Sequence, residues 1–188
     1  GSMNHDPEFF TAVLSIVAAL GLAAACGFRI FVPLLVVSLA TKAGLMSVSE
    51  GFAWIGSTPA VLCFGSATLL EVLAYFVPVV DNFLDAVATP AAVIAGMVVS
   101  AAVIADVDPW LKWTLAVIAG GGAAAAVQVP TVVARGTSTA TTGGLGNSLV
   151  STTELVASTG FSAASVLAFS LPVVVPFILG GAMGPVTT

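Results

Sequence analysis

Residues 9–41 of this chain read FFTAVLSIVAALGLAAACGFRIFVPLLVVSLAT, and Arg29 is the only charged side chain among them. A helix that crosses a bilayer needs about 20 apolar residues, so this stretch is too long for a single span. The natural break is Gly27-Phe28-Arg29, which divides the stretch into the runs 9–27 and 28–41. The opening stretch therefore predicts two apolar helices that meet at Arg29.

The rest of the chain has the same character. Of its 188 residues, 59% are hydrophobic and 7% are charged, and the mean hydropathy is +1.15. Soluble domains carry roughly a quarter charged residues, and disordered chains are polar, so this composition excludes both classes. At about 20 residues per span, the length allows roughly six spans. We expect an all-α, polytopic transmembrane helical bundle.

Helix-start signals divide the remaining sequence. Ser or Thr followed by Pro, Asp followed by Pro, and Ser/Thr-x-x-Glu are typical helix beginnings. An uncharged tract rich in Ser, Thr and Gly, residues 136–148, predicts a loop. The signals are Ser47-x-x-Glu50 before an interfacial stretch, Ser57-Thr58-Pro59 before a run to about 80, Thr89-Pro90 before a run to about 105, Asp108-Pro109 before 110–134, and Ser151-x-x-Glu154 before a run to about 179.

One motif occurs twice. Residues 72–80 (VLAYFVPVV) and 166–174 (VLAFSLPVV) are identical at six of nine positions and lie 94 residues apart. Either two Ala/Val-rich helices resemble each other by chance, or the chain is a duplication with three spans in each half. An odd number of spans per half gives an inverted 3+3 repeat, which is typical of secondary transporters. We predict one transmembrane domain, 9–182, with halves of about 9–86 and 87–182. We also predict that residues 1–8 are a tag remnant and short tail and that residues 183–188 are a C-terminal tail.

Arg29 and Glu71 are the two most informative charges. Arg29 lies at a break between apolar runs, four residues before Pro33. It either lines a solute path in a broken helix or reaches the lipid headgroups from a tight turn. Glu71 lies near the centre of its run, and an intramembrane carboxylate suggests a proton relay, an ion ligand or an ion-pair partner. Arg29 is the candidate partner.

Other polar residues and prolines complete the candidate path. Asp81 and Asp85 share a helix face, where their like charges repel unless a cation relieves them or the helix end is wet. Glu154 has either a capping role or a solute-binding role. Pro78 and Pro172 each free a carbonyl in a helix, which suggests a cation or water site. The path candidates are Arg29, Glu71, Tyr75, Asp81, Asp85, Gln128, Asn147 and Glu154, and the candidate helix breaks are Gly27, Pro33, Pro78, Pro130 and Pro172.

Several function classes have no support in the sequence. The single histidine, His5, lies in the N-terminal tail, and the chain has no paired histidines, phosphate-binding loop or nucleophile elbow. We therefore expect neither an enzyme nor a cofactor, and the residues do not say whether a metal binds. The net charge of −5 with only four basic residues excludes nucleic-acid binding.

Four segments together resemble a bacterial integral-membrane family known as domain of unknown function 4126. They are residues 24–33 (AACGFRIFVP), residues 50–57 (EGFAWIGS), Leu70-Glu71 with 78–81 (PVVD) and Asp85, and residues 141–147 (TTGGLGN) leading to Ser151 and Glu154. The resemblance covers about residues 9–177. It implies a multi-pass protein of the bacterial inner membrane and supplies no activity.

Two functions remain open at this point. The first is a small-solute or ion transporter or channel with a site near Glu71 and Arg29 at the middle of the membrane. The second is a non-transporting membrane module that binds lipid or assembles with other membrane proteins. The many Gly and Ala residues suit close helix packing or a homo-oligomer under both hypotheses.

Overall fold

Helices account for almost all of the described chain. The computed structural model describes residues 7–75, 77–104 and 107–182, and no strand occurs among them. A π-helical segment joins α5 to α6, so that these form one continuous helical rod. The elements are α1 (Pro7–Phe28), α2 (Phe31–Lys42), a 3-10 helix (Glu50–Gly56), α3 (Thr58–Ala74), α4 (Pro78–Val103), α5 (Pro109–Leu115), the π segment (Ala116–Gly120), α6 (Gly121–Thr142) and α7 (Asn147–Ala182).

Helix α1 lies at the centre and contacts α4, α6 and α7. Its inward residues are small, which lets the helix backbones approach closely. A Cβ atom placed on Gly27 would lie 2.4 Å from the carbonyl oxygen of Ala124 in α6. On the α7 side, Ser158 Oγ donates a hydrogen bond of 3.0 Å to the Ala25 carbonyl. Small residues therefore set the distances between the central helices.

Helices α2 and α3 form an antiparallel pair beside this centre. At one end, Lys42 Nζ donates to Thr58 Oγ1 at 2.6 Å. At the other end, the backbone N–H of Ile30 donates to a carboxylate oxygen of Glu71 at 2.8 Å. This pairing brings the end of α3 against the beginning of α2, where Arg29 is located.

The surface of this protein differs from that of a water-soluble protein. Large apolar side chains cover the outside, among them Phe9, Leu62 and Phe83. Charged and hydroxyl side chains such as Arg29 and Glu154 are buried. A lipid environment favours this arrangement, because apolar groups then face hydrocarbon while the polar groups bond to one another inside the protein.

In the part of the chain that the structure describes, four helices are long and apolar enough to cross a membrane: Phe9–Phe28, Ala86–Val103, Pro109–Thr142 and Asn147–Leu171. A fifth span is added if Glu50–Gly56 and Thr58–Ala74, which are bent by 67° to each other, count as one. Helix α2 has 12 residues and extends only about 18 Å at 1.5 Å per residue. The predicted count of six spans is therefore not confirmed.

The inverted repeat is not confirmed either. Its two copies of the VLA…PVV motif lie in different structures. In the first copy α3 ends at Ala74 and α4 begins at Pro78, whereas α7 continues through the second copy without interruption.

Two predicted helix beginnings are confirmed by their capping bonds. Ser57 Oγ accepts from the Ala60 N–H at 3.2 Å, and α3 begins at Thr58. Asp108 Oδ1 accepts from the Trp110 N–H at 2.9 Å, and α5 begins at Pro109. The break at Gly27-Phe28-Arg29 is also confirmed, because α1 ends at Phe28.

Three other predicted beginnings are wrong. Helix α4 already starts at Pro78 and continues through Pro90. Because proline has no N–H, Pro90 removes one backbone hydrogen bond from the helix without ending it. The 3-10 helix begins at Glu50, and no side chain caps it at Ser49. Helix α7 begins at Asn147, so that Ser151 and Glu154 lie inside it and bond to other helices.

The predicted loop at 136–148 is mostly helix. Helix α6 runs to Thr142, and only residues 143–146 separate it from α7. The hydroxyls of this tract donate to carbonyls one turn back in their own helix, as from Thr137 to Val133 at 2.9 Å. These bonds satisfy the polar groups that composition alone assigns to a loop. The turn itself is formed by Gly143 and Gly144, which both have positive φ.

Candidate functional site

Arg29 is held inside the protein by helix α7. It lies in the two-residue break between α1 and α2, and only 1% of its surface is exposed. Its Nη2 atom donates to the backbone carbonyl of Ser151 at 2.8 Å and also to the Ser151 hydroxyl. The tight turn was one of the two predicted alternatives, but the expectation that Arg29 reaches the headgroups from it is wrong, since its partners are buried.

Glu71 caps the beginning of α2. Its two carboxylate oxygens accept the backbone N–H groups of Ile30 at 2.8 Å and Phe31 at 3.1 Å. A carboxylate is favourable there because the first N–H groups of a helix have no partner in the helix itself. Arg29 attracts Glu71 electrostatically, but the ion pair that Arg29 forms is with Glu154. The distance between Nη2 of Arg29 and Oε2 of Glu154 is 3.6 Å.

Arg135 and Glu154 form a buried ion pair between α6 and α7. Nε of Arg135 donates to Oε1 of Glu154 at 3.0 Å, and Nη2 donates to Oε2. This two-bond geometry is the strongest that a guanidinium and a carboxylate can make. Arg135 was not among the predicted site residues. In the sequence it directly follows the apolar run 110–134 and precedes the tract predicted as a loop, so the pattern gave no reason to place it inside the protein.

Tyr75 lies against both arginines. The guanidinium carbon of Arg29 is 4.1 Å from the centre of the Tyr75 ring, and that of Arg135 is 3.8 Å from it. Tyr75 follows the last residue of α3 and is 6% exposed. An aromatic ring stabilises buried cations in this position through its negatively polarised faces.

These five residues form one structure, which we call the charge cluster: Arg29, Glu71, Tyr75, Arg135 and Glu154. It joins the α1–α2 turn to α3, α6 and α7. Two guanidinium groups and two carboxylates give it no net charge when all four are ionised. Such balance is needed because a single unpaired charge is very costly in a buried site.

Two cavities lie next to the cluster. The first, about 480 Å³ in volume, lies between the beginning of α2, α3 and α4, and we call it the Glu71 cavity. Glu71 and Tyr75 line it together with apolar residues such as Leu84 and Ala88. The second, about 560 Å³, lies between the end of α1, α6 and α7. It is lined by Glu154 and residues such as Phe28 and Pro130, and we call it the Glu154 cavity.

The comparison with protein families identifies the family of this chain. The family model described as domain of unknown function, DUF4126, matches residues 16–185. The chain belongs to the DUF4126 family. No curated protein and no solved structure matches it.

Two further candidate path residues of this DUF4126 protein lie outside the charge cluster. Gln128 is buried where α6 contacts α1, and its backbone nitrogen would lie 3.0 Å from a Cβ atom on Gly27. Asn147 Nδ2 donates to Thr139 Oγ1 at 2.9 Å, which fixes the turn between α6 and α7. Asp81 and Asp85 belong to α4, but their side chains lie outside the described residues, as does His5.

The prolines do not all break helices in this DUF4126 protein. Pro78 begins α4, but the Ala74 carbonyl that it was expected to free accepts the Val77 N–H at 3.1 Å. Helix α6 continues through Pro130, and α7 continues through Pro172. Pro33 lies in the first turn of α2, where its missing N–H costs little.

Among residues 7–75, 77–104 and 107–182, no three His, Cys, Asp or Glu side chains are placed to hold a metal ion. The contacts that the structure describes in the charge cluster are buried ion pairs, cation–π contacts and the capped beginning of α2.

Proposed function

We propose that this protein is an integral membrane protein that moves a small solute or ion across the bilayer. The observation that carries the proposal is the position of the two carboxylates of the charge cluster. Glu71 lines one cavity and Glu154 lines the other. The cluster would then act as the barrier between two half-paths.

The ion pairs provide a way for this barrier to open. Arg29 lies 3.6 Å from Glu154, and the backbone N–H of the next residue, Ile30, donates to Glu71, so Arg29 is located near both carboxylates. A shift of Arg29 towards either carboxylate would weaken the contacts on the other side. Charged groups inside a membrane protein commonly mark transport paths for this reason. The bonds of Arg29 to Ser151 would link such a shift to α7.

Flux through liposomes tests the proposal. Purified protein would be reconstituted and assayed with a panel of small anions, cations and neutral solutes. Ala91 lines the Glu71 cavity, whereas Ala86, five residues earlier in α4 and on another face of the helix, is exposed on the outer surface. Ala91→Phe should fill the cavity and reduce flux at least tenfold, while Ala86→Phe should leave the flux unchanged. Equal flux in both variants, with both folded, would contradict a path through this cavity.

The alternative is a membrane module that binds lipid or assembles with other membrane proteins, including further copies of itself. One observation favours it: Leu70 and Val87, at the edge of the Glu71 cavity, are 66% and 50% exposed. The cavity would then receive a lipid chain from the side. Stabilisation by lipid, together with absence of flux for every solute in the panel, would favour this function over transport.

We further propose that the protein resides in the bacterial inner membrane as a multi-pass protein and has no catalytic activity. Its partners would be membrane lipids and the transported solute, without nucleic acid or cofactor. A fractionation experiment with separated inner and outer membranes tests the location directly.

A further inference from the structure

We infer that the charge cluster lies at one boundary of the hydrocarbon layer of the membrane, and that the Glu71 cavity holds one acyl chain of a phospholipid that enters from this boundary. The inference rests on the membrane location proposed above. It specifies the leaflet that supplies the lipid, the direction of the bound chain and the level of its polar end, and it holds whether or not the protein transports a solute.

Helix α1 determines the depth of the charge cluster. The apolar span Phe9–Phe28 has 20 residues, which extend about 30 Å and match the thickness of the hydrocarbon layer. Arg29 follows this span directly, so it lies at one boundary of the layer and not at its middle. Glu71 lies at the same level, because its carboxylate accepts the N–H of Ile30. The sequence placed Glu71 near the centre of an apolar run, but α3 ends at Ala74, one turn after it.

The continuous rod of α5, the π segment and α6 agrees with this depth. Its span Pro109–Thr142 has 34 residues and extends about 51 Å, which is about 20 Å more than the hydrocarbon layer. At the beginning of the rod, Trp110 and Trp113 are 78% and 51% exposed, and tryptophan is typical of a membrane boundary. A helix that enters the layer at Trp110 leaves it about 20 residues later. Arg135 and the hydroxyl-rich residues after it therefore lie at or beyond the opposite boundary.

The Glu71 cavity extends from this second boundary to the middle of the bilayer. Tyr75 lines its outer end beside the charge cluster, whereas Ala88 and Ala91 line its inner end. Helix α4 begins at Pro78, next to the end of α3, and Ala88 lies about 15 Å from Pro78 along the helix axis, which is about half the thickness of the hydrocarbon layer. The cavity therefore has the depth of one leaflet and runs in the direction of its acyl chains.

The cavity opens sideways to the surrounding lipid. Leu70 in α3 and Val87 in α4 belong to its lining and are nevertheless 66% and 50% exposed. Apart from Glu71 and Tyr75, the described lining residues are apolar. Such a space does not hold ordered water, and without an occupant its walls would lose dispersion contacts. An acyl chain from the adjacent leaflet restores these contacts without leaving a hydrocarbon environment.

Photolabelling in lipid vesicles tests the bound chain and its direction. The protein would be reconstituted in vesicles of phosphatidylethanolamine that contain a small fraction of the same lipid with a diazirine, either at the end of one chain or next to the glycerol. Labelled residues would be identified by mass spectrometry of peptides. Ala88 reports on the cavity, because it lines the cavity and is only 5% exposed. Ala92 is the matched control, because it is fully buried in the same helix and is not part of the lining.

The two probes should label opposite ends of the cavity. The chain-end probe should label Ala88, the probe next to the glycerol should label Tyr75, and neither should label Ala92. Ala91→Phe places an aromatic ring in the cavity and should abolish the labelling of Ala88. Ala86→Phe adds the same ring on the exposed surface of α4 and should leave the labelling of Ala88 unchanged.

Three results would overturn the inference. If Ala88 stays unlabelled while Leu70 at the rim is labelled, the cavity is empty or is covered by a second copy of the chain. If Ala91→Phe leaves the labelling of Ala88 unchanged, the chain does not lie in the cavity. If the chain-end probe labels Tyr75 and the other probe labels Ala88, the charge cluster does not lie at the boundary. Ala67→Phe, which enters the cavity from α3, replaces Ala91→Phe if that variant does not fold.

Flux measurements on the same vesicles separate this inference from the proposed function. Labelling of Ala88 by the chain-end probe, without flux of any solute in the panel, would keep the lipid site and reject transport. Flux that Ala91→Phe reduces, with Ala88 unlabelled by either probe, would keep transport and reject the lipid site.

Discussion

Glu154 is the residue whose replacement should destabilise the protein most. Its carboxylate receives two bonds from Arg135, and Arg29 lies 3.6 Å away. In Glu154→Gln both arginines stay buried, while Glu71 remains as the single carboxylate for two cations. Removing one partner of a buried pair costs about 3–5 kcal/mol. For a protein of this size, that lowers Tm by about 6–20 °C.

The assay is thermal unfolding in detergent, with tryptophan fluorescence as the signal. Glu50→Gln removes an exposed carboxylate and should stay within about 0.5 kcal/mol of wild type. The double variant Arg135→Leu/Glu154→Leu should recover part of the loss, because apolar replacement of a whole buried pair is often neutral. A Tm for Glu154→Gln within 2 °C of wild type would refute the reasoning, since it would mean that water or another group already compensates Arg135.

Three further predictions concern the same helices and use the same unfolding assay. Tyr75→Leu should lower the free energy of unfolding by about 2 kcal/mol or more, because both cation–π contacts disappear. Tyr75→Phe keeps the ring and should lower it by at most about 1.5 kcal/mol, and equal losses in the two variants would show that the ring faces do not matter. Gly27→Ala should lower the free energy of unfolding by about 1–3 kcal/mol, because the new methyl group would overlap with the backbone of Ala124. The control Gly122→Ala places its methyl group in open space and should not destabilise the protein. Ser57→Ala should cost about 1 kcal/mol through loss of the α3 cap, and an unchanged Tm would mean that α3 is held by packing alone.

The helical class and the family could be predicted from the sequence because they depend on local features. The apolar composition can be read directly from the sequence, and helix caps such as Ser57 and Asp108 depend only on residues within one turn of the chain. The tract after Arg135 shows where a local rule fails. Thr and Ser hydroxyls occur in loops because water satisfies them, but Thr137 and Thr142 are satisfied by their own helix at 2.9 Å and 2.7 Å. Composition cannot distinguish between these two partners.

The charge cluster could be predicted only in part. Glu71, Arg29, Tyr75 and Glu154 stand out as polar groups in an apolar chain, but their partners depend on tertiary contacts. Arg29 bonds to Ser151, 122 residues away. Glu154 fits a helix-capping pattern equally well, and only the earlier start of α7 removes that role. Spacing along the chain carries no signal for contacts of this range.

The energetics of the cluster argue for a role beyond folding. The chain has only four basic residues, and two of them are buried here beside two carboxylates. Packing alone does not require this, because apolar side chains of similar volume stabilise a protein interior at least as well as a buried ion pair does. If Arg135→Leu/Glu154→Leu folds at near wild-type stability but loses flux, then the pair serves transport. If the variant keeps both stability and flux, the barrier between the two cavities depends on Arg29, Glu71 and Tyr75, and the α6–α7 pair is structural.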